Sequence, residues 1–227
     1  MHEEKHFKSP DVVKDIVIGM ADGLTVPFAL AAGLSGAVDS NFVIITAGIA
    51  EIVAGSIAMG LGGYLAGRTD SDHYYTEVKR EYEEVEYLPE VEKKEIREML
   101  SEYGISNDTQ HKVADELSLN KDKWVDFMMK FELGLEEPRI NRARKSAFNI
   151  AVSYIVGGMI PLSAYFITSR PYDGLLISSA ITLAALFLFG YLKAKLTDQP
   201  RWSGAWSTAG IGTLAAAAAY LIAKAIS

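Results

Sequence analysis

The sequence contains no cysteine, which excludes disulfide bonds and metal sites of the Cys-x-x-Cys type. It also lacks the Gly-x-x-x-x-Gly-Lys-Ser/Thr motif that cradles nucleotide phosphates. Nothing therefore indicates ATP hydrolysis, and any active transport by this chain would have to be driven by an ion gradient. The sequence does not predict an enzyme, and neither a prosthetic group nor a nucleic-acid partner is expected.

Charge is scarce in five long segments of the chain. The apolar runs are 19 to 26 residues long and cover 16–38, 42–67, 147–168, 174–192 and 203–223. A helix of about 20 residues spans the hydrocarbon core of a bilayer. The sequence therefore predicts an all-α membrane protein with five transmembrane helices.

The charged residues are concentrated between the second and third runs. Residues 68–145 hold 20 of the 29 acidic residues and 14 of the 22 basic ones, so this part should face water. We expect three parts: 1–67 with the first two spans, an acidic helical domain at 68–145, and 146–227 with the last three spans. If the N-terminus is cytosolic, the short segments place six Lys and Arg residues on that side against two opposite. The N-terminus and the inserted domain are therefore expected in the cytosol.

Each of the first two runs contains one charged residue, Asp22 and Glu51 respectively. A carboxylate in a bilayer is costly, so it usually lines a path or a site. The alternatives are a structural hydrogen bond to a neighbouring helix for Asp22, and a structural or dimer-interface contact for Glu51. The pattern favours a cation, a proton or both as cargo.

Met59 lies in the second run at about the depth of Asp22, roughly 10 Å from the cytosolic end, with Glu51 roughly 12 Å further along. A thioether is a soft ligand that suits transition metals, and together with a carboxylate it points to an ion such as Fe²⁺. The alternative is that Met59 only packs, since methionine fills gaps in apolar cores.

The acidic segment carries carboxylates and methionines at helical spacing. Residues three and four apart are neighbours on a helix surface, and helical bundles bind divalent ions with inward carboxylates. The candidate ligands are Glu77, Glu81, Glu84, Glu92, Glu95, Met128, Met129 and Glu132. The alternative is a solvated surface on which these acids pair with the lysines and arginines nearby.

Two motifs carry a resemblance to a known family. The Asp-Gly-Leu sequence at 22–24 and residues 50–60, Ala-Glu-Ile-Val-Ala-Gly-Ser-Ile-Ala-Met-Gly, resemble the vacuolar iron transporters, and the Glu-rich insert resembles that of the plant-type members. The resemblance implies a homodimer with five spans per subunit and assigns Asp22, Glu51 and Met59 to the transport path. It assigns to a cytosolic metal-binding domain Glu81, Glu84, Glu92, Glu95, Met128, Met129 and Glu132. Glu77 is added from its spacing alone.

The resulting hypothesis is a proton-coupled antiporter in the vacuolar membrane. It would move Fe²⁺, and similar ions such as Mn²⁺, Co²⁺ and Zn²⁺, from the cytosol into the vacuole. One alternative is a divalent metal channel that uses the same residues without proton coupling. A second is a membrane-anchored iron-binding or sensing protein that transports nothing; such a sensor would have no need of Asp22 and Met59.

Overall fold

The computed structural model describes residues 10–226, and among these there are eight helices and no strand. In chain order they are α1 (Pro10–Ala37), α2 (Asn41–Tyr87), α3 (Pro89–Glu102), α4 (Asn107–Ser118), α5 (Lys121–Phe131), α6 (Arg142–Ile167), α7 (Pro171–Leu196) and α8 (Arg201–Ile226). Five of them, α1, α2, α6, α7 and α8, are long and apolar enough to cross a membrane. The predicted all-α membrane protein with five spans is confirmed.

The longest helix, α2, has 47 residues and differs from the prediction. The sequence analysis ended the second apolar run at residue 67 and assigned the residues after it to a separate acidic domain. The structure instead continues one helix to Tyr87, because no proline interrupts the sequence before Pro89. A proline disfavours helical backbone at the residue before it, and Leu88 leaves the helix with φ −128°.

The described residues fold as two compact units. Unit 1 contains the residues before Ala66 and those after Arg142, and unit 2 is Ala66–Arg142. Unit 1 thus holds α1, α6, α7, α8 and the first part of α2. The rest of α2 belongs to unit 2 with α3, α4 and α5.

In unit 1, glycines let α1 and α6 approach each other closely. A methyl group added at Gly157 would lie 3.0 Å from the backbone nitrogen of Leu24 and 3.1 Å from the carbonyl carbon of Gly23. No side chain fits between the two helices at this point. The contact fixes α6 against α1 one residue from Asp22.

Unit 2 has its own hydrophobic core, which draws on all four of its helices. The buried residues are Val85, Ile96, Ala114, Trp124, Val125, Met128 and Met129. Gly104 ends the α3 region in the left-handed conformation, with φ +74°, which glycine adopts at little cost. Helix α3 therefore lies between Pro89 and Gly104, in the order, proline first and glycine last, that is typical of a helix start and a helix end.

Candidate metal and transport sites

Three carboxylates from three helices meet in unit 2. Glu81 on α2, Glu92 on α3 and Glu132 at the end of α5 each bring one oxygen within 4.8 Å of the other two. Each acid lies four residues from a core residue: Glu81 from Val85, Glu92 from Ile96, and Glu132 from Met128. Residues four apart share a helix face, so the packing that buries the core also gathers the acids. We call these three glutamates the carboxylate cluster.

Two members of the carboxylate cluster are deeply buried. Glu81 and Glu92 are 2% and 3% exposed, whereas Glu132 is exposed. Among the described residues, the Oε2 atoms of Glu81 and Glu92 have no hydrogen-bond partner. A buried, unpaired carboxylate is unfavourable unless it binds a proton or a cation. The donor set therefore fits a divalent cation.

The electrostatics of the carboxylate cluster agree with this interpretation. Burial raises the pKa of Glu81 to about 7, helped by the carboxylates of Glu132 and Glu84. Burial, with Glu95 and Glu81 nearby, raises the pKa of Glu92 to about 8. The pKa of Glu132 is also raised, first by desolvation and then by Glu95 and Glu84. Like charges held together in this way favour a proton or a metal ion.

Two more predicted ligands, Glu84 and Glu95, lie at the edge of the carboxylate cluster, and a third, Glu77, lies outside it. Burial and the charge of Glu84 raise the pKa of Glu95, so both carboxylates act on the cluster. Arg80 donates a hydrogen bond to Glu84 at 3.1 Å and another to Glu77 at 3.4 Å. Glu77 also lies 3.9 Å from His73. The Glu77 side chain is 15% exposed and pairs with Arg80 and His73, and its ligand role stays a prediction.

The two predicted methionine ligands of unit 2 are core residues. Met128 and Met129 are 0% and 1% exposed and pack in the hydrophobic core. The backbone N–H of Glu132 donates to the carbonyl of Met128 at 3.0 Å, so the helical spacing continues as far as Glu132. Met128 and Met129 lie four and three residues before Glu132, as the helical spacing in the sequence predicts. Their use as ligands stays a prediction.

In unit 1, Glu51 is held by a tyrosine. The hydroxyl of Tyr154 on α6 donates a hydrogen bond of 2.5 Å to Oε1 of Glu51 on α2. The second oxygen, Oε2, is buried and lacks a hydrogen-bond partner within the part of the chain that the structure describes. Glu51 also lines a groove of about 530 Å³ beside residues of α1 and α8, including Thr25 and Ala219.

Asp22 lies close to the same tyrosine but is not bonded to it. Its carboxylate is half-buried and accepts no side-chain hydrogen bond from residues 10–226. The next residue, Gly23, packs on the backbone of Tyr154. Met59 is half-buried and lies two turns from Glu51 on the same side of α2, with Gly55 between them. The predicted meeting of the Asp22 carboxylate with the Met59 sulfur stays a prediction.

The sequence analysis missed two polar residues of unit 1. Tyr154 sits in an apolar run and carried no signal of its own. Asp15 lies one residue outside the first run, yet it is 2% exposed and accepts hydrogen bonds from Ser146 at 2.8 Å and Asn149 at 3.4 Å. Asp15 lies seven residues before Asp22, so both residues are on one face of α1. This spacing is the sequence signal that could have identified Asp15.

Comparison with known proteins decides the family. The model of the VIT family matches residues 13–224. The chain belongs to the VIT family. Vacuolar iron transporter 1 of Tulipa gesneriana is 53% identical over 225 residues, which are 99% of this chain and 91% of the relative. Vacuolar iron transporter 1 of Arabidopsis thaliana is 51% identical, with 99% and 90% covered, and that of Eucalyptus grandis is 49% identical, with 99% and 90% covered.

Membership of the VIT family confirms the resemblance drawn from residues 22–24 and 50–60. The relatives are named as transporters, so this VIT protein is not an enzyme. Its sites suit that class, because carboxylates bind and release cations without covalent chemistry. Five helices able to cross a membrane are what a multi-pass membrane protein requires.

Proposed function

We propose that this VIT protein moves Fe²⁺ from the cytosol into the vacuole in exchange for protons. The observation that carries the proposal is the carboxylate cluster, whose three oxygens lie within 4.8 Å of one another in a family of transporters. The names of the relatives support iron as the cargo and the vacuole as its destination.

Collection of the ion is proposed to take place in unit 2. Glu81, Glu92 and Glu132 supply the oxygen ligands, with Glu84 and Glu95 adding negative charge at the edge. The pKa values of Glu81 and Glu92, about 7 and about 8, mean that a bound cation must displace protons near neutral pH. The thioethers of the two methionines, Met128 and Met129, would favour Fe²⁺, Co²⁺ or Zn²⁺ over Ca²⁺ and Mg²⁺.

Transfer across the membrane is proposed to use Asp22, Met59 and then Glu51. A carboxylate holds a metal ion or a proton but not both well, and this competition is the proposed coupling. Each pH unit across the membrane supplies about 1.4 kcal/mol per proton exchanged. An acidic vacuolar lumen would thus protonate the path carboxylates and release the cation there.

The proposed arrangement places the N-terminus and residues 68–145 in the cytosol and the protein in the vacuolar membrane. The excess of Lys and Arg on that side supports this orientation. We also propose a homodimer, which the family resemblance implies. The open apolar groove along α1 and α8 provides apolar surface for such a contact.

Proteoliposomes with a pH-sensitive dye inside test the proposal. With an acidic interior and external Fe²⁺ kept reduced, the metal should accumulate while the interior becomes more alkaline. Metal entry without a change in internal pH would support the uncoupled channel. No entry at all would support the binding or sensing protein.

A further inference from the structure

We infer that Tyr154 is a positioning residue: it holds one oxygen of Glu51 so that the other is presented to the transported divalent cation. The inference rests on the proposed function, because it needs a cation that reaches Glu51. It adds a residue from α6 to a path that the sequence drew only from α1 and α2.

The hydrogen bond divides the Glu51 carboxylate into two unequal oxygens. Oε1 accepts from the Tyr154 hydroxyl at 2.5 Å, a short distance typical of a hydrogen bond to a carboxylate. Oε2 is buried and has no hydrogen-bond partner among residues 10–226. A buried oxygen of this kind calls for a partner, and a divalent cation would supply one.

The position of the hydroxyl is fixed by packing on two other helices. The backbone of Tyr154 lies against Gly23 of α1. Its ring lies on Gly55 of α2, where an added methyl group would come within 2.5 Å of Cζ and 2.7 Å of Cε1. The side chain is 2% exposed, so it has little freedom to leave Glu51.

The chemistry of tyrosine suits this role better than that of a basic residue. A lysine or arginine would cancel the charge of Glu51 and repel an arriving cation. A phenol is a neutral donor, so it stabilises and orients the carboxylate while the negative charge remains for the ion. Glu51 also lines the groove that contains Thr25, so the groove reaches the residue that carries the carboxylate.

The first test removes only the hydroxyl. Tyr154→Phe keeps the ring on Gly55, and the full chain in proteoliposomes should take up Co²⁺ with a KM raised roughly tenfold, the scale of one hydrogen bond to a charged group. Tyr165→Phe is the matched control. Tyr165 is also buried on α6, at 1% exposed, and its hydroxyl bonds to Ser35 at 2.9 Å. This control should leave the KM for Co²⁺ unchanged.

The second test separates positioning from packing. Some infrared carboxylate bands should shift when Co²⁺ is added, and those that disappear in Glu51→Gln belong to Glu51. These bands report metal bound at Glu51 even in a variant that does not transport. Tyr154→Phe should need a higher Co²⁺ concentration to shift these bands, whereas Tyr165→Phe should not.

The outcomes distinguish the inference from the function on which it rests. If the unsubstituted protein transports Co²⁺ and Tyr154→Phe keeps both the KM and the infrared titration, Tyr154 only packs and the inference is overturned. An equal rise in KM for both phenylalanine variants would also overturn it. If the unsubstituted protein takes up no metal, the proposed function fails and the inference fails with it.

Discussion

Metal binding by the carboxylate cluster should release protons, and the number should fall when Glu92 is replaced. The perturbation is Glu92→Gln, which keeps the shape of the side chain but can neither ionise nor exchange a proton. Glu92 is 3% exposed and its Oε2 is unpaired among the residues described. The variant therefore removes one titrating group without opening a cavity.

The size of the effect follows from the two pKa values. At pH 7, Glu81, with a pKa of about 7, is half protonated. Glu92, with a pKa of about 8, is mostly protonated at the same pH. A cation that binds both carboxylates should then release about one and a half protons. Between pH 6 and pH 8 the affinity should rise by about two to three orders of magnitude.

Calorimetry in two buffers with different ionisation enthalpies counts these protons. Co²⁺ is titrated into the full chain at pH 7, and Glu92→Gln should release about one proton fewer per ion bound in unit 2. Glu98→Gln is the control on the same helix. The Glu98 side chain is 62% exposed and pairs with Lys94 at 3.1 Å, so this variant should match the unsubstituted protein.

Two results would refute the reasoning. If Glu92→Gln and Glu98→Gln release as many protons as the unsubstituted protein, Glu92 does not take part in binding. If the affinity for Co²⁺ is the same at pH 6 and pH 8, the protonation of Glu81 and Glu92 is not linked to metal binding and unit 2 does not hold the proposed site.

The remaining predictions concern the path and the metal-free fold. Asp22→Asn should abolish proteoliposome uptake in a protein that still elutes as a folded species, because an amide cannot exchange a proton; uptake at the original rate would remove Asp22 from the mechanism. Met59→Leu should cost less than ~1.5 kcal/mol of stability and yet lower Co²⁺ uptake severalfold, whereas normal uptake would mean that Met59 only packs. The folded pKa values of Glu81 and Glu92 are raised above their unfolded value. Their bound protons therefore stabilise the metal-free fold fully below pH ~4.5, and this stabilisation is lost as the pH rises through about 7 and 8. The melting temperature should fall between pH 6 and pH 9, and a flat profile would contradict the shifts.

The sequence could predict what depends on local patterns. Long apolar runs predict the five spans, and Pro89 with Gly104 predicts α3. The closeness of Glu81 and Glu92 follows from local spacing, because each lies one turn before a core residue on its helix. Spacing alone does not decide the role of Glu77, since the same periodicity also fits an acid that pairs with Arg80.

What could not be predicted depends on contacts between distant parts of the chain. Glu51 and Tyr154 are far apart in sequence, and nothing in the run around Tyr154 marks its hydroxyl as the donor. The length of α2 was also missed, since a change from apolar to charged composition looks like an end of a helix. Backbone hydrogen bonding continues through such a change when no proline interrupts it.

Three carboxylates of the unit 1 spans, Asp15, Asp22 and Glu51, differ in how well the protein satisfies them. Asp15 is buried and bonded to Ser146, so a cation would have to displace an existing hydrogen bond to bind it. Glu51 has one bonded oxygen and one unpaired oxygen. Asp22 accepts no side-chain hydrogen bond among the described residues and is only half-buried. Exchange of a proton for a metal ion is easiest where the fewest existing bonds must break. In the proposed path, we therefore expect Asp22 to exchange the proton for the ion and Glu51 to hold the ion in a fixed geometry, while Asp15 joins α1 to α6.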